Sequence, residues 1–293
     1  MRVTVAGAGM VGLTSAYRLA EAGHEVTVVA AAPPAETTSA VAGGVVYPPG
    51  RSPDERLVRW TAASLEVFHG HGAPGVRFRR GRILLPPGAP DPRWLAAVGD
   101  PVRDGDRVEL TTAVIDTPVY LAWLLAGVRA LGVRVEHRTL TTLSGLPADV
   151  VVNAAGLGAG PLADDASMVP VGGQVVHVTD PGVPGFVVDE TGPGVTYVIP
   201  HGDHVVCGGT EEPGRDDTDP NPGVTADILR RCRELEPRLA GAEVLRSLVG
   251  LRPFRREVRL ERVGDVVHCY GHGGAGITLS WGCAADVASL VAG

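Results

Sequence analysis

Arg2-Val3-Thr4-Val5-Ala6-Gly7-Ala8-Gly9-Met10-Val11-Gly12 opens the chain, and its reading decides the fold. Val3 and Val5 alternate as in a short strand, and glycines at 7, 9 and 12 follow without a spacer. Leu13, Ala16, Tyr17, Leu19 and Ala20 then recur at helical spacing. Gly23 ends that run, and Glu25-Val26-Thr27-Val28-Val29 is a second strand. The glycines therefore lie between a strand and a helix inside one βαβ unit, the context in which this pattern signals a bound dinucleotide. Gly7 permits the turn, Gly9 admits a pyrophosphate against the backbone, and Gly12 lets helix and sheet approach. A glycine turn without a ligand is the alternative reading.

Beyond this unit the usual carboxylate at the end of the second strand is missing. Ala30-Ala31-Ala32 stands in its place, and the nearest acid is Glu36, beyond Pro33 and Pro34. Either Glu36 folds back to the ribose, or backbone and water hold it. That gap weighs more against NAD than against FAD, which has many other contacts. Thr37-Thr38-Ser39-Ala40-Val41-Ala42-Gly43-Gly44-Val45 offers hydroxyl and amide donors to phosphate and a close backbone approach to a ring system, unless it is an ordinary polar loop.

The far end repeats the strand, tight loop, helix order. Val266-Val267-His268-Cys269-Tyr270 runs into Gly271, Gly273, Gly274 and Gly276, and Ile277-Thr278-Leu279-Ser280-Trp281-Gly282-Cys283-Ala284 continues as a helix. The free N–H groups and positive dipole end of that helix would face a ligand held by the loop. A bare strand-to-helix turn is the other possibility.

Composition removes several classes of function. The 293 residues carry a net charge of −7 without a long basic run, which argues against nucleic acid as a partner. No lysine is present, so Schiff-base chemistry and the Walker phosphate loop are both excluded. Cys207, Cys232, Cys269 and Cys283 form no C-x-x-C pair, so neither a metal site of usual spacing nor a disulfide scaffold is expected. No metal is predicted. Without a leader pattern or an apolar run of spanning length, no membrane partner is expected and a reducing cytoplasm fits.

The intervening chain reads as further elements of two sheets. Ser52-Pro53-Asp54-Glu55 is a capped helix start, with Leu57, Val58, Leu65 and Phe68 as its apolar stripe. Residues 76–87 read as strand with an Arg-Gly-Arg turn, the start of a separate sheet. Thr117-Pro118 opens a capped helix closed by Gly132, with strands over 133–138 and 149–153 beyond it. Residues 171–178, 195–200 and 205–210 alternate as an antiparallel sheet, with His201 and His204 in a turn as solvated residues rather than metal ligands. Thr225 reads as the cap of a helix that Pro237 ends. Within Gly250-Leu251-Arg252-Pro253, Arg252 is fixed among apolar neighbours, either as the partner of a planar carboxylate or as half of a structural ion pair. Arg255, Arg256, Arg259 and Arg262 read as solvated.

The stretch 266–284, the N-terminal Gly-x-Gly-x-x-Gly, the Thr-Thr-Ser-Ala-Val-Ala-Gly-Gly run and Gly-Leu-Arg252-Pro together resemble the D-amino-acid oxidase family, in the family's order and over nearly the whole chain. The resemblance implies an α/β fold with a discontinuous Rossmann-like FAD-binding domain (1–50, 111–165 and 255–293) and an antiparallel-sheet substrate domain (51–110 and 166–254). It implies FAD as cofactor, held by Gly7, Gly9, Met10, Val11, Gly12, Thr37, Thr38, Ser39, Gly43, Gly44, Val45, Leu140, Gly273, Gly274, Ala275, Gly276, Ile277 and Thr278. By the same resemblance Arg252 binds the substrate carboxylate, Tyr197 adds a phenol hydrogen bond, and the Gly274 carbonyl accepts from the amine. Hydride transfer from Cα to flavin N5 would follow, with molecular oxygen as the second substrate and peroxide, ammonia and a 2-oxo acid as products.

Two departures from the family bear on substrate and location. Vertebrate members carry a lid tyrosine four residues before the position of Tyr197; Pro193 stands here, implying a more open pocket. The chain ends Val-Ala-Gly rather than Ser-Lys-Leu, which predicts a cytoplasmic, bacterial form. A homodimer is the candidate assembly. D-aspartate oxidase, glycine or sarcosine oxidase, and a non-catalytic flavin-binding protein are the competing readings, with His201 and the scattered arginines the candidates for a second cation that D-aspartate would demand.

Overall fold

Val3, Val5 and Val28 are buried because the first strand lies inside a sheet rather than at its edge. β1 (Arg2–Ala6) pairs in parallel with β2 (Glu25–Ala30) on one side. Its other neighbour, also parallel, is β7 (Val150–Asn153). The parallel array extends to β6 (Arg134–His137) beyond β2 and to β14 (Val266–His272) beyond β7. The computed structural model describes residues 1–47 and 55–293. The expected cap at Ser52-Pro53-Asp54 lies outside the described residues.

Four helices pack together beside these strands. α1 (Met10–Glu21) lies against α3 (Thr117–Ala130) and α6 (Gly276–Ala292), and α6 packs in turn on α2 (Glu55–His71). Gly282 makes the α2–α6 contact possible, because a Cβ there would stand 2.3 Å from Trp60 Cα. Trp281 Nε1 donates to Tyr120 Oη at 2.9 Å and ties α6 to α3. Residues Gly273–Ala292 are long and apolar enough to cross a membrane, with mean hydropathy 1.4, contrary to the expectation of no such run. Burial within the chain accounts for that composition, since a helix apolar on most faces is the core helix of a large domain.

The other half is built on antiparallel pairing. β3 (Val76–Leu84), β4 (Gly99–Asp104) and β5 (Arg107–Ile115) form one edge. β9 (Val187–Asp189) joins it in parallel through β3, and β10 (Thr196–Pro200), β11 (His204–Gly208) and β8 (Val169–Thr179) continue it antiparallel, with β12 (Glu212–Pro213) paired to β8. α5 (Pro222–Leu235) presses Ile228 and Cys232 onto Val176, Val198 and Val205, a second apolar cluster. The short α4 (Ala159–Leu162) follows β7.

One strand joins the halves. β13 (Val244–Val263) pairs with β8 along its first part and with β14 along its second, with a register shift between Phe254 and Arg259. All strands among the described residues therefore belong to one 14-stranded sheet, and β3 is not the start of a separate one. The boundaries expected at 110/111 and 254/255 fall inside β5 and β13. Hydrophobic alternation marks where a strand is, not where its partner changes.

Other local expectations are corrected by side chains from elsewhere in the chain. Arg80-Gly81-Arg82 is continuous strand, not a turn; Gly81 is glycine because Phe186 lies on it, 2.4 Å from where a Cβ would be. Asp116 caps α3 by accepting from Val119 N, while the Thr117 hydroxyl donates to Ala40 O. Asn221 rather than Thr225 caps α5, accepting from Gly223 N at 2.8 Å with Pro222 in the first turn. His201 and His204 are not solvated: His201 is buried, and the rings of His177, His204 and His201 stack in a column at 4.8 and 5.0 Å. Arg255 hydrogen-bonds Asp165, and Arg259 donates to Tyr270 Oη at 2.7 Å, so neither is a free solvated cation.

Candidate active site

A cavity of about 1410 Å³ runs between the two halves. At one end the close packing of β1, its loop and α1 requires glycine. A Cβ on Gly7, whose φ is +112°, would lie 2.3 Å from Ala154 O, and one on Gly12 would lie 2.1 Å from Gly7 O. Gly9 precedes α1 without capping it by a side chain; Met10 N instead donates to Ser39 Oγ at 3.1 Å. Backbone amides at an uncapped helix N-terminus beside a glycine turn suit a pyrophosphate. Ala30, Ala31, Ala32 and Glu36 line the same end together with Arg138 and Leu140.

The loop over 37–45 crosses the middle of the cavity. Gly44, at φ +84°, is held between strands: it accepts from Ile115 N at 2.9 Å, and a Cβ there would meet Ile115 O at 2.0 Å. Thr37 Oγ1 donates to Pro34 O and Thr38 Oγ1 donates to Leu251 O, at 2.7 and 2.9 Å. Those two hydroxyl protons hold the loop rather than pointing at phosphate, which corrects the donor role expected of them. Ser39 accepts from Met10 N and keeps its own O–H.

At the other end β13 brings Arg252 over the strand beside it. Its Nη1 donates to Thr210 O at 2.7 Å, and the guanidinium lies flat on Gly173, where a Cβ would come within 2.4 Å of Cζ. Tyr197 lies close enough to Arg252 for the guanidinium charge to act on its phenol, and its ring rests on Gly208 and Gly209. Burial raises the Tyr197 pKa and the guanidinium lowers it, with a net rise, so the phenol keeps its proton to donate. Tyr47 Oη donates to Glu190 at 3.1 Å on the same wall. Gly273–Ala275, a 3₁₀ turn, leads into α6, and a Cβ on Gly274 would stand 3.5 Å from the Arg252 side chain. The first turn of α6 and the Arg252–Tyr197 pair thus line one end of one cavity.

A family profile described as FAD dependent oxidoreductase, of the DAO type, matches residues 2–290. The chain belongs to that family. The protein is 45% identical to a D-amino-acid oxidase of Rubrobacter xylanophilus, over 99% of this chain and 95% of the relative. Against a D-amino-acid oxidase of Streptomyces coelicolor the identity is 40%, over 98% and 96%. The crystal structure of glycine oxidase from Geobacillus kaustophilus superposes with a TM-score of 0.84, at 21% identity over 99% and 95% of the two chains, and shows the shared fold. The two-domain FAD fold of the DAO family is therefore the fold of this chain, and FAD is its cofactor. The glycine cradle and the uncapped N-terminus of α1 fit a dinucleotide.

Of the residues expected to form the DAO-type site, all line the cavity except Gly12, which instead lets α1 pack on the Gly7 carbonyl. Sequence reasoning missed Gly173, Gly208 and Gly209, the platforms under Arg252 and Tyr197, and it missed Tyr47 with Glu190. Glycine pairs inside strand patterns signal close approach and were the available clue for the platforms. His201 does not line the cavity: Nε2 bonds Gly43 O at 3.0 Å, and burial lowers its pKa to about 4, leaving it neutral and no candidate for a second cation.

Proposed function

We propose that this protein oxidatively deaminates D-amino acids to 2-oxo acids, with release of ammonia and hydrogen peroxide. The observation that carries the reading is the convergence of Arg252 and Tyr197 on the end of the cavity closed by Gly274 and the start of α6. Bound FAD supplies a two-electron acceptor. Arg252, with one nitrogen already given to Thr210 O, offers its remaining N–H groups to a substrate carboxylate. The neutral Tyr197 phenol donates to the same carboxylate, and the Gly274 carbonyl accepts from the amine. Three fixed points hold Cα in one orientation, so one hand of the substrate presents its hydrogen and the other turns it away; orientation supplies much of the rate. Cofactor contacts are assigned to residues 7–11, Ser39, Gly44, Val45, Leu140 and residues 273–278.

A D-aspartate oxidase needs a second cation in the substrate pocket, and the neutral, buried His201 does not supply one. The test is the absorbance of the purified yellow protein before and after anaerobic addition of D-alanine, D-aspartate, glycine or sarcosine. Bleaching by D-alanine ahead of the other three supports the proposal. Preferential bleaching by another arm reassigns the substrate, and none by any of them leaves a flavin-binding protein without this activity.

A further inference from the structure

Two thiols and an imidazole meet in the interior behind the flavin loop, and no step of the proposed reaction uses them. Cys269 lies within β14, His272 ends it, and Cys283 lies two turns into α6. Their sulfur and nitrogen ligand atoms are all within 4.8 Å of one another, and all three residues are buried. None of the cysteines is in a disulfide. His272 Nε2 is a buried nitrogen with no hydrogen-bond partner among the described residues, an arrangement that costs stability unless something meets it.

We propose that Cys269, His272 and Cys283 form a binding site for a thiophilic d¹⁰ cation, Cu(I) or Zn(II). Two sulfurs and one imidazole nitrogen form a soft ligand set, the kind that selects these ions over hard cations such as Mg(II). Binding forms two metal–sulfur bonds and one metal–nitrogen bond, and the two thiol protons leave to solvent. Among the described residues no free carboxylate joins the cluster: Asp286, the nearby acid, is held by Arg59 and by Trp60 Nε1. Cys269 and His272 line the cofactor cavity, which provides the entry path. The ligands come from a strand and a facing helix, which is why their sequence spacing carried no metal signature. A bound cation ties the end of β14 to α6 across the loop that faces the flavin.

Cys207 and Cys232 serve as the internal control. They also lie side by side, but Cys232 donates to the backbone carbonyls of Tyr197 and Gly208, and no imidazole completes a cluster there. The test loads the full-length holoprotein anaerobically with Zn(II) in one arm and Cu(I) in the other, removes unbound ion by gel filtration, and counts metal per chain by atomic emission. About one cation per chain is expected in at least one arm. Retention should fall at least tenfold in Cys269→Ser and Cys283→Ser and persist in Cys207→Ser. X-ray absorption on the unmutated protein, which does not depend on any variant folding, should show two sulfurs at about 2.3 Å and one nitrogen at about 2.0–2.1 Å for zinc. No retained cation in either arm, equal retention in the Cys269 and Cys283 variants, or a first shell without sulfur would each overturn the proposal.

Discussion

Replacing Gly173 by alanine displaces Arg252 without removing its charge. The new Cβ would stand 2.4 Å from both Cζ and Nη2 of Arg252. Ordinary carbon contacts are about 3.5–4.0 Å, so the guanidinium must move by about 1 Å. It cannot slide freely, because Nη1 is fastened to Thr210 O at 2.7 Å and Pro253 follows it in the strand. Misplacing a positioning group by that distance costs about 10²-fold, or roughly 2.7 kcal/mol of transition-state stabilisation. The assay is steady-state kcat/KM on D-alanine, measured with the flavin-to-protein ratio. We expect a loss of about 100-fold at unchanged flavin content, since the glycine cradle at the other end is untouched. Gly70→Ala, in the exposed part of α2, is the control: a Cβ there meets nothing within 4 Å, and the expected change is about twofold or less. Wild-type kcat/KM in Gly173→Ala would refute the assignment of Arg252 as the carboxylate anchor.

Further outcomes follow from the same geometry. Arg252→Ala removes one partner of a desolvated ion pair, a loss of about 3–5 kcal/mol and so roughly 10²–10³-fold or more in kcat/KM; flavin lost in step with activity would contradict the role. Gly282→Ala forces α6 away from Trp60 and should lower stability by about 1–3 kcal/mol, and an unchanged thermal melt would show that the contact is not formed. His201 is held neutral, with a folded pKa of about 4 against an ordinary value near 6.5. The unfolded chain therefore takes up that proton first, and stability present above about pH 6.5 is lost as pH falls toward 4, by roughly 3 kcal/mol at most. Burial depresses His177 in the same direction. Denaturant titrations across that window should show a shallower pH slope in His201→Gln, and an identical slope would dismiss His201 as a contributor.

What could be read from sequence was what is local. The strand, glycine loop and helix at residues 2–21 lie within a few turns of one another, so periodicity and glycine placement specify them together. The loop 273–276 between β14 and α6 was legible for the same reason, as was Arg252 once the family pattern around it was in view. Gly173 was not, because its role comes from pairing with Gly250 across strands far apart in the chain, which sets Arg252 on it. The start of α5 was misplaced because Asn221-Pro222 is a stronger helix opening than Thr225, which instead accepts from Gln174. The histidine column was hidden by a turn composition that ordinarily faces solvent, whereas β8 supplies His177 as its inner wall.

The shift in pairing along β13 has an evolutionary consequence. Side chains alternate between faces, so adding or deleting a single residue between Ser247 and Arg252 would turn the anchor to the wrong side of the strand. Between Phe254 and Arg259 the ladder is already irregular, and a length change there can be absorbed before pairing with β14 resumes. Insertions and deletions among descendants of this sequence should therefore accumulate on the downstream side of Pro253 and be purged from the upstream side.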